Sequence, residues 1–253
     1  VNLSWQNVGN YFSNHYVLMY HPLPILSFAV QYNLFKLNPV PYHLFNFLFH
    51  LINILLVYLL TKRLSKGSIM VGLLVALIFA VHPMNTEAVS WISARSSVMY
   101  SCFFLASLLA YWQYLHSSAK LKWYIIAFVF ALLSFFSKAN ALPLPIVLIL
   151  FDWFARRKLK KDVVRAGAET TTFDIIPFVD KVPFFALSII FGLVALSDAG
   201  TNNNLNIGAE TFSLGQGLLL SIYSLSNYLV QFFAPFHLSA IHTYPLKVDG
   251  ALP

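Results

Sequence analysis

The sequence predicts an all-α polytopic membrane protein, a transmembrane bundle of about six spanning helices with further helices at the membrane interface. Of its 253 residues, 58% are hydrophobic and only 10% are charged, whereas soluble domains carry about 25% charged residues. Several apolar runs approach the roughly 20 residues that a spanning helix needs. Short basic loops separate the runs, and this pattern accounts for the net charge of +7 without a nucleic-acid partner.

The apolar runs differ in how clearly they predict a span. The clearest are at residues 42–60, 69–88 and 98–115. Residues 123–136 and 142–154 form a shorter pair that we count as two passes, and one more run occupies residues 182–196. Two further runs, at residues 23–35 and 214–236, are ambiguous. Many polar side chains interrupt the last one, which favours a helix lying along the outer interface over a span.

Basic clusters orient the predicted helices. They follow the first, third and fifth runs, at residues 62–66, 120–122 and 156–161. If every run crosses once, all three clusters lie on one side, which the positive-inside rule makes cytoplasmic. The turns at residues 82–95 and 137–141 and the loop at residues 198–213 then face outward. Residues 162–180 are predicted to be a soluble cytoplasmic loop.

The outward turn at residues 82–95 carries charges that a membrane span does not require. Glu87 is the only acid before Asp152, and Arg95 ends the segment. Each charge would cost roughly 2.5–3.5 kcal/mol at the bilayer centre. Glu87 and Arg95 are therefore the first candidates for chemistry. A simple surface pair between them is the alternative, and their spacing leaves it open.

Lys138 lies in the second outward turn, against the positive-inside bias. A cation kept on the translocated face indicates a phosphate partner. A lysine that extends its ammonium toward lipid headgroups is the alternative. The residue types alone do not decide between the two.

His43, Asn46 and His50 share one face of the first clear helix. The two histidines are about 10 Å apart along the helix axis, too far to hold one metal ion without other ligands. We therefore predict that all three are hydrogen-bonding groups in the bundle interior. The sequence contains no zinc-spaced Cys or His cluster, Gly-rich phosphate loop or nucleophile elbow. Its single Cys102 excludes an internal disulfide.

Several short motifs occur in a fixed order along the chain. The most specific is Phe-Ala-Val-His-Pro-Met-Asn-Thr-Glu-Ala-Val at residues 79–89, followed by Arg95 and by Ser-Lys-Ala-Asn at residues 137–140. Weaker elements are Tyr-His-Leu-x-Asn-x-x-x-His at residues 42–50, Asp-Trp at residues 152–153 and Pro-x-x-Leu…Tyr-Pro at residues 235–245. Together these motifs resemble the membrane part of the transmembrane-and-tetratricopeptide-repeat O-mannosyltransferases and their bacterial relatives.

The resemblance implies a GT-C fold, a helical bundle whose first large outer loop carries a catalytic acid. The activity it implies is transfer of a sugar, typically mannose, from a polyprenyl-phosphate donor to a Ser or Thr hydroxyl of an exported protein. The implied partners are a lipid membrane, the donor, an acceptor protein and other membrane subunits. The implied location is the inner membrane if bacterial, or the endoplasmic reticulum if eukaryotic, with a periplasmic or lumenal active face. A divalent metal cofactor stays open, because similar membrane glycosyltransferases occur with and without one.

Two departures from the family pattern accompany the resemblance. No carboxylate precedes Glu87, so the acidic motif of the first outer loop is expected before Val1 or is absent. The tetratricopeptide repeats and later helices of the family are also missing, and we interpret the sequence as part of a longer chain. The implied divisions are 1–41, a partial first outer loop with a membrane-skimming helix; 42–197, the bundle with its cytoplasmic loop at 156–180; and 198–253, an outer loop with an interfacial helix.

The resemblance also suggests roles for the candidate residues. Arg95 and Lys138 would bind the donor phosphate as cations. Glu87 and His82 are the candidate catalytic side chains: the first would orient Arg95 or contact the acceptor, and the second would shape the site. The alternative function is a catalytically inactive GT-C-like scaffold subunit of a membrane complex, which the missing acid favours. A transporter is a weaker third hypothesis, because no broken helices occur in repeated halves.

Overall fold

The computed structural model describes residues 3–16, 19–165, 179–204 and 214–235, with side chains described outside 156–165, 199–204 and 214. Within these residues the regular secondary structure is helical. The helices are α1 (Trp5–Ser13), α2 (Pro22–Phe35), α3 (Pro39–Leu64), α4 (Ile69–Val81), α5 (Asn85–Ser90), α6 (Arg95–His116), α7 (Lys120–Ser137), α8 (Leu144–Arg165), α9 (Val182–Asn204) and α10 (Leu214–Phe233). Short 3-10 turns occupy Ile92–Ala94, Ala139–Ala141 and Val179–Lys181.

Four of the described helices are long and apolar enough to cross a membrane. They are Pro39–Leu64, Ile92–His116, Lys120–Ser137 and Val179–Asp198. Two shorter apolar helices, Ile69–Val81 and Ala139–Ala155, lie between them in sequence. The predicted all-α membrane bundle is confirmed. In the described residues the runs at 69–88 and 142–154 form the two shorter helices, whereas the run at 123–136, predicted to be short, forms a helix of spanning length.

The helix predicted at residues 69–88 is broken in two. α4 ends at Val81, His82 takes an extended conformation (φ −65°, ψ 125°), and α5 begins at Asn85. Pro83 explains the break, because a proline disfavours the helical conformation in the residue before it. The break places Glu87 on a separate short helix outside the apolar core.

Two other predicted boundaries were wrong for a common reason. α9 continues to Asn204, so Asp198 lies on a helix and not at the start of an outer loop. α8 continues to Arg165, past residue 162, where the soluble loop was predicted to begin. Hydropathy marks where a helix leaves the apolar layer, whereas its backbone hydrogen bonds can continue through polar residues. Residues 166–178, 205–213 and 236–253, including most of the motif at 235–245, lie outside the described residues.

α6 and α7 form the central pair of the bundle and pack closely through small side chains. Ala127 and Ala131 of α7 are fully buried against α6, and Ser107 Oγ of α6 donates to the Ala127 carbonyl at 2.8 Å. Small residues and interhelical hydrogen bonds of this kind favour helix association in lipid. α3 packs against α6, α4 packs against α3, and α8 and α9 complete the bundle.

Two polar clusters lie at opposite ends of the helices. At one end the start of α6 meets the residue after α7, since Lys138 Nζ donates to Ser97 Oγ at 2.8 Å. The end of α9 reaches the same region, where the Tyr20 backbone N–H donates to Asp198 Oδ2 at 3.0 Å. At the other end Lys181 is buried and pairs with Asp152 and Asp180. The first cluster contains the residues predicted to face outward.

Candidate functional site

A cavity of about 440 Å³ lies between the α5 turn, α3 and α6, with the residues after α7 at its edge. We call it the polar cavity. It brings Glu87 and Lys138 together, although the two come from different turns of the chain. Its other polar lining residues are His50, Asn53, Asn85, Ser97, Tyr100, Ser101, Asn140 and Tyr228.

Lys138 is placed by the end of α7. The residue takes an extended conformation (φ −165°, ψ 141°), and its backbone N–H caps the helix by donating to the Ser134 carbonyl. Its side chain passes toward α6 and ends on Ser97. Burial lowers the pKa of the Lys138 ammonium, and the negative charge of Glu87 opposes that shift. Lys138 is thus a partly desolvated cation, and desolvation strengthens its attraction for an anion.

Glu87 lies in the first turn of α5 and is exposed at the rim of the polar cavity. In the described part of the chain its carboxylate makes no ion pair with Arg95 or Lys138. The surface pair with Arg95, the alternative left open by the sequence, is therefore not formed. The carboxylate of Glu87 faces the cavity with its hydrogen-bonding capacity unused by these two cations.

Asn53 supplies an unsatisfied acceptor to the wall of the polar cavity. Its side chain is 1% exposed, and its Nδ2 donates to the Val98 carbonyl at 3.0 Å. Its Oδ1 has no hydrogen-bond partner among the described residues. A buried acceptor left unpaired costs about 1–3 kcal/mol, so Asn53 Oδ1 is a local cost to stability in the wall of the cavity.

Arg95 is fully buried and does not line the polar cavity. Its guanidinium donates to Asn46 Oδ1 (3.0 Å), to the Tyr42 carbonyl (2.9 Å), to Ser27 Oγ (3.2 Å) and to Gln31 Oε1. It also lies 4.2 Å from the centre of the Phe28 ring. Four of its five N–H groups are therefore used to tie α6 to α2 and α3. This geometry differs from the predicted phosphate contact.

The polar face of α3 is occupied by interhelical hydrogen bonds. Asn46 Nδ2 donates to the Trp91 carbonyl at 2.8 Å, and His50 Nε2 donates to the Ala80 carbonyl at 3.2 Å. His43 differs from the prediction, because its side chain is exposed and lines a shallow cavity beside Trp91. His43 lies in the second turn of α3, where the 3-10 turn after Trp91 leaves it uncovered.

His82 packs against α10 and lies outside the polar cavity. The Met84 backbone N–H donates to its Nδ1 at 3.3 Å. Its Nε2 therefore carries the proton and donates to the Phe232 carbonyl at 3.0 Å. The ring also stacks on Phe232 with centroids 5.4 Å apart. These contacts anchor the outward turn to α10 and leave His82 at a distance from the Lys138 ammonium.

A second cavity of about 250 Å³ adjoins the first, and Lys138 and Asn140 line both. We call it the apolar cavity, because one wall consists of Phe191, Val194 and Ala195 of α9. Its remaining lining residues are Met19, Tyr20, His21, Ser96, Ala139 and Asp198. Lys138 therefore stands between a polar and an apolar compartment.

Sequence reasoning missed His21, Asp198 and Asn53. Asp198 pairs with His15 Nε2 at 3.0 Å, and its carboxylate is 13% exposed. A weak signal for it existed, because an acid directly after an apolar run repeats the pattern of Glu87. Asn53 also follows Asn46 by seven residues and so extends the polar face of α3. Nothing local to His21 distinguishes it from other loop histidines.

The described residues contain no group of three or more His, Cys, Asp or Glu side chains placed to hold a metal ion. The polar cavity contains one carboxylate, Glu87, and one imidazole, His50.

Comparison with known protein families identifies the chain. Residues 21–179 match the family model described as dolichyl-phosphate-mannose-protein mannosyltransferase, which covers more than half of the sequence. The chain belongs to this family. The matched region contains the polar cavity residues from His50 to Asn140 and ends just before Asp180.

Individual members of the family show how much of the chain is shared. The protein is 41% identical over 93 residues to protein O-mannosyl-transferase TMTC3 of Mus musculus, covering 36% of this chain and 10% of that protein. It is 36% identical over 149 residues to protein O-mannosyl-transferase tmtc2 of Xenopus laevis, covering 57% and 18%. The relatives are thus matched over about a fifth of their length or less. No solved structure matches the chain.

Proposed function

We propose that the protein acts, within its full-length chain, as a membrane O-mannosyltransferase. The transfer runs from a polyprenyl-phosphate donor to a Ser or Thr hydroxyl of an exported protein. Membership in a mannosyltransferase family supports the sugar, and the helices support a lipid-linked donor that reaches the site within the membrane. The single observation that carries the proposal is the polar cavity, which both the half-buried cation Lys138 and the carboxylate Glu87 line.

Lys138 is proposed to bind the donor phosphate and to stabilise it as it departs. Breaking the bond between the sugar and the phosphate increases the negative charge on the phosphate oxygens. A cation in a partly desolvated site stabilises that charge more than it would in water. Ser97 Oγ, which already accepts from Lys138 Nζ, holds the ammonium at the boundary of the two cavities.

The polar cavity is proposed to hold the sugar and the incoming hydroxyl. Glu87 offers acceptors for hydroxyl groups, and Asn85 and Asn140 add amides that can donate and accept. Attack by the hydroxyl also needs an acceptor for its proton. The family resemblance expects that carboxylate in the first outer loop, and Glu87 is proposed to orient the acceptor beside it.

Arg95 and His82 are proposed to position the outward turn. Arg95 ties the start of α6 to α2 and α3, and His82 fixes the end of α4 against α10. Of the two predicted cations, we assign phosphate binding to Lys138 only, because the Arg95 guanidinium is enclosed by protein partners. The active face is proposed to be the lumenal or periplasmic side, opposite the basic loops.

The test is transfer of labelled mannose from a polyprenyl-phosphate donor to an acceptor peptide by the purified full-length protein in lipid nanodiscs. Lys138→Ala is expected to lower the rate about 10²–10³-fold, which is typical for losing one stabiliser of a developing oxyanion. The matched control is Lys120→Ala, since Lys120 is exposed at the start of α7. Full activity of Lys138→Ala would overturn the assignment of the phosphate site. If the wild-type protein shows no transfer, the proposed enzymatic activity is wrong and the inactive-scaffold alternative is favoured.

A further inference from the structure

His21 occupies an unusual position beside the proposed phosphate site. It is the residue before α2, and its side chain does not cap that helix. The imidazole lines the apolar cavity together with Lys138 and Asp198. Among the described residues the imidazole has no hydrogen-bond partner, whereas the neighbouring Lys138 ammonium and Asp198 carboxylate each have one. His21 is therefore available to a ligand.

Charged and titratable groups surround His21 from several elements. Lys138 approaches from the end of α7 and Asp198 from α9, while His15 and Tyr20 come from the segment between α1 and α2. Ser96 of α6 adds an uncharged hydroxyl. Burial and the positive charge of Lys138 lower the pKa of His21, and Asp198 opposes the shift. The unliganded imidazole is thus neutral at pH 7 and can accept a proton.

The lining of the apolar cavity indicates which part of a polyprenyl-phosphate donor it would bind. Its α9 wall, Phe191, Val194 and Ala195, suits a hydrocarbon chain, and two of its polar residues, Lys138 and Asn140, also line the polar cavity. A prenyl chain along α9 would place its phosphate between Lys138 and His21. The sugar would then extend into the polar cavity toward Glu87.

We propose that His21 is a further catalytic residue of the transfer, which hydrogen-bonds the departing phosphate and takes up one proton. The inference rests on the proposed function. In the step, a bond forms between the acceptor oxygen and the anomeric carbon. The bond from that carbon to the phosphate oxygen breaks, and its electron pair stays on the phosphate.

Proton uptake by His21 offsets the negative charge that the phosphate gains in this step. The donor is a phosphodiester with one negative charge, and the product is a phosphate monoester whose second ionisation has a pKa of about 6. The product is therefore mainly a dianion at pH 7. The acceptor hydroxyl passes its proton to the carboxylate expected in the first outer loop, which releases it to solvent. His21 takes up one proton from solvent and ends the step as an imidazolium beside the dianion. The total charge of hydroxyl, donor and His21 is unchanged.

The kinetic test compares His21→Gln with the wild-type full-length protein from about pH 5.5 to about pH 8.5. This range includes the ordinary pKa of histidine, about 6.5. Glutamine can still donate a hydrogen bond to the phosphate but cannot take up a proton. We expect kcat to fall about 10²-fold, KM to change little, and the decline of kcat at acidic pH to disappear. The matched control is His116→Gln, because His116 is exposed at the end of α6 far from both cavities.

A binding measurement gives a readout independent of turnover. Isothermal titration calorimetry of farnesyl phosphate in two buffers of different ionisation enthalpy reports protons taken up on binding. At pH 7.5 the wild-type protein should take up a proton and His21→Gln should take up less. If His21→Gln keeps the wild-type kcat, acid limb and proton uptake, His21 has no such role. In that case loss of transfer in Lys138→Ala would still support the proposed function, so the two failures are distinguishable.

Discussion

Lys138 shows how one residue acquires its chemistry from its surroundings. In sequence it departs from the positive-inside bias, and the fold half-buries it at the junction of two cavities, where its ammonium donates to Ser97 Oγ. Burial lowers the pKa of its ammonium, so the charge is lost at a lower pH than for an exposed lysine. The affinity for the negatively charged donor should therefore depend on pH.

We expect donor binding to decline on the alkaline side as pH rises through the lowered pKa of Lys138, because the phosphate loses its cation. Lys138→Arg should move that decline to higher pH, since a guanidinium stays protonated throughout. Affinity for a polyprenyl phosphate, measured from pH 7 to about 10, checks this. Lys120→Arg is the control, and an unchanged alkaline decline in Lys138→Arg would contradict the prediction.

Arg95 illustrates the opposite case, a charge used for structure. Arg95→Ala would leave Asn46, Gln31 and the Tyr42 carbonyl without their donor inside the bundle. Each unsatisfied buried group costs about 1–3 kcal/mol, so we expect the folded fraction to fall strongly.

Thermal unfolding of the detergent-solubilised protein measures this effect of Arg95→Ala. Arg95→Lys should rescue little, because one ammonium cannot reproduce the planar set of donors. If Arg95→Ala unfolds at the wild-type temperature but loses activity, Arg95 acts in binding or catalysis and its structural assignment is wrong.

At the scale of elements, a buried ionic cluster joins four helices at the end opposite the cavities. Lys181, just before α9, pairs with Asp152 of α8 and with Asp180. Tyr111 of α6 donates to Asp152 Oδ1 at 2.9 Å, and Tyr124 of α7 donates to the Asp180 carbonyl at 2.8 Å. The cluster fixes where α9 starts and thereby where its far end, with Asp198, arrives.

Lys181→Met should lower the free energy of unfolding by about 3–5 kcal/mol, because it leaves two carboxylates without their cation. The double variant Asp152→Leu/Lys181→Met should cost less than the sum of the two single variants, since it removes both members of the main pair. Denaturant unfolding of the three variants in mild detergent measures these differences. Strictly additive effects would show that the pair is not energetically coupled.

At the scale of the whole molecule, the alternation of helices puts the two polar clusters at opposite ends. The loops after α3 and α6 lie at the end of Lys181, and the turns before α6 and after α7 lie at the end of the two cavities. From the positive-inside rule we expect the first end to be cytoplasmic.

Single cysteines in a Cys102→Ala background test this orientation with a membrane-impermeant thiol reagent. Thr86→Cys and Asn140→Cys should react from the lumenal or periplasmic side, and Lys66→Cys and Ser118→Cys only after permeabilisation. All four positions are exposed, so a lack of reaction reflects the side of the membrane and not burial. The reverse pattern would invert the topology and place the cavities in the cytoplasm.

The sequence by itself determined the class of protein and the approximate place of each long apolar helix. Apolar runs and basic loops are local signals, because burying about 20 apolar residues in lipid needs no information from the rest of the chain. They predicted the helical bundle, the polar turns at its ends and the residues that the turns carry. The break at Pro83 was also readable from a local rule, although the prediction overlooked it.

Only the tertiary structure decided what those polar residues do. Arg95 and Lys138 look alike in sequence, as single cations in outward turns. Arg95 meets Ser27, Gln31 and Asn46, which lie 49 to 68 residues away in the chain, and is enclosed. Lys138 meets one hydroxyl and two cavities. Helix packing brings these distant residues together. The hydropathy of a helix does not specify which other helices it packs against or how it is rotated about its axis. The different roles of Arg95 and Lys138 therefore appear only in the folded bundle.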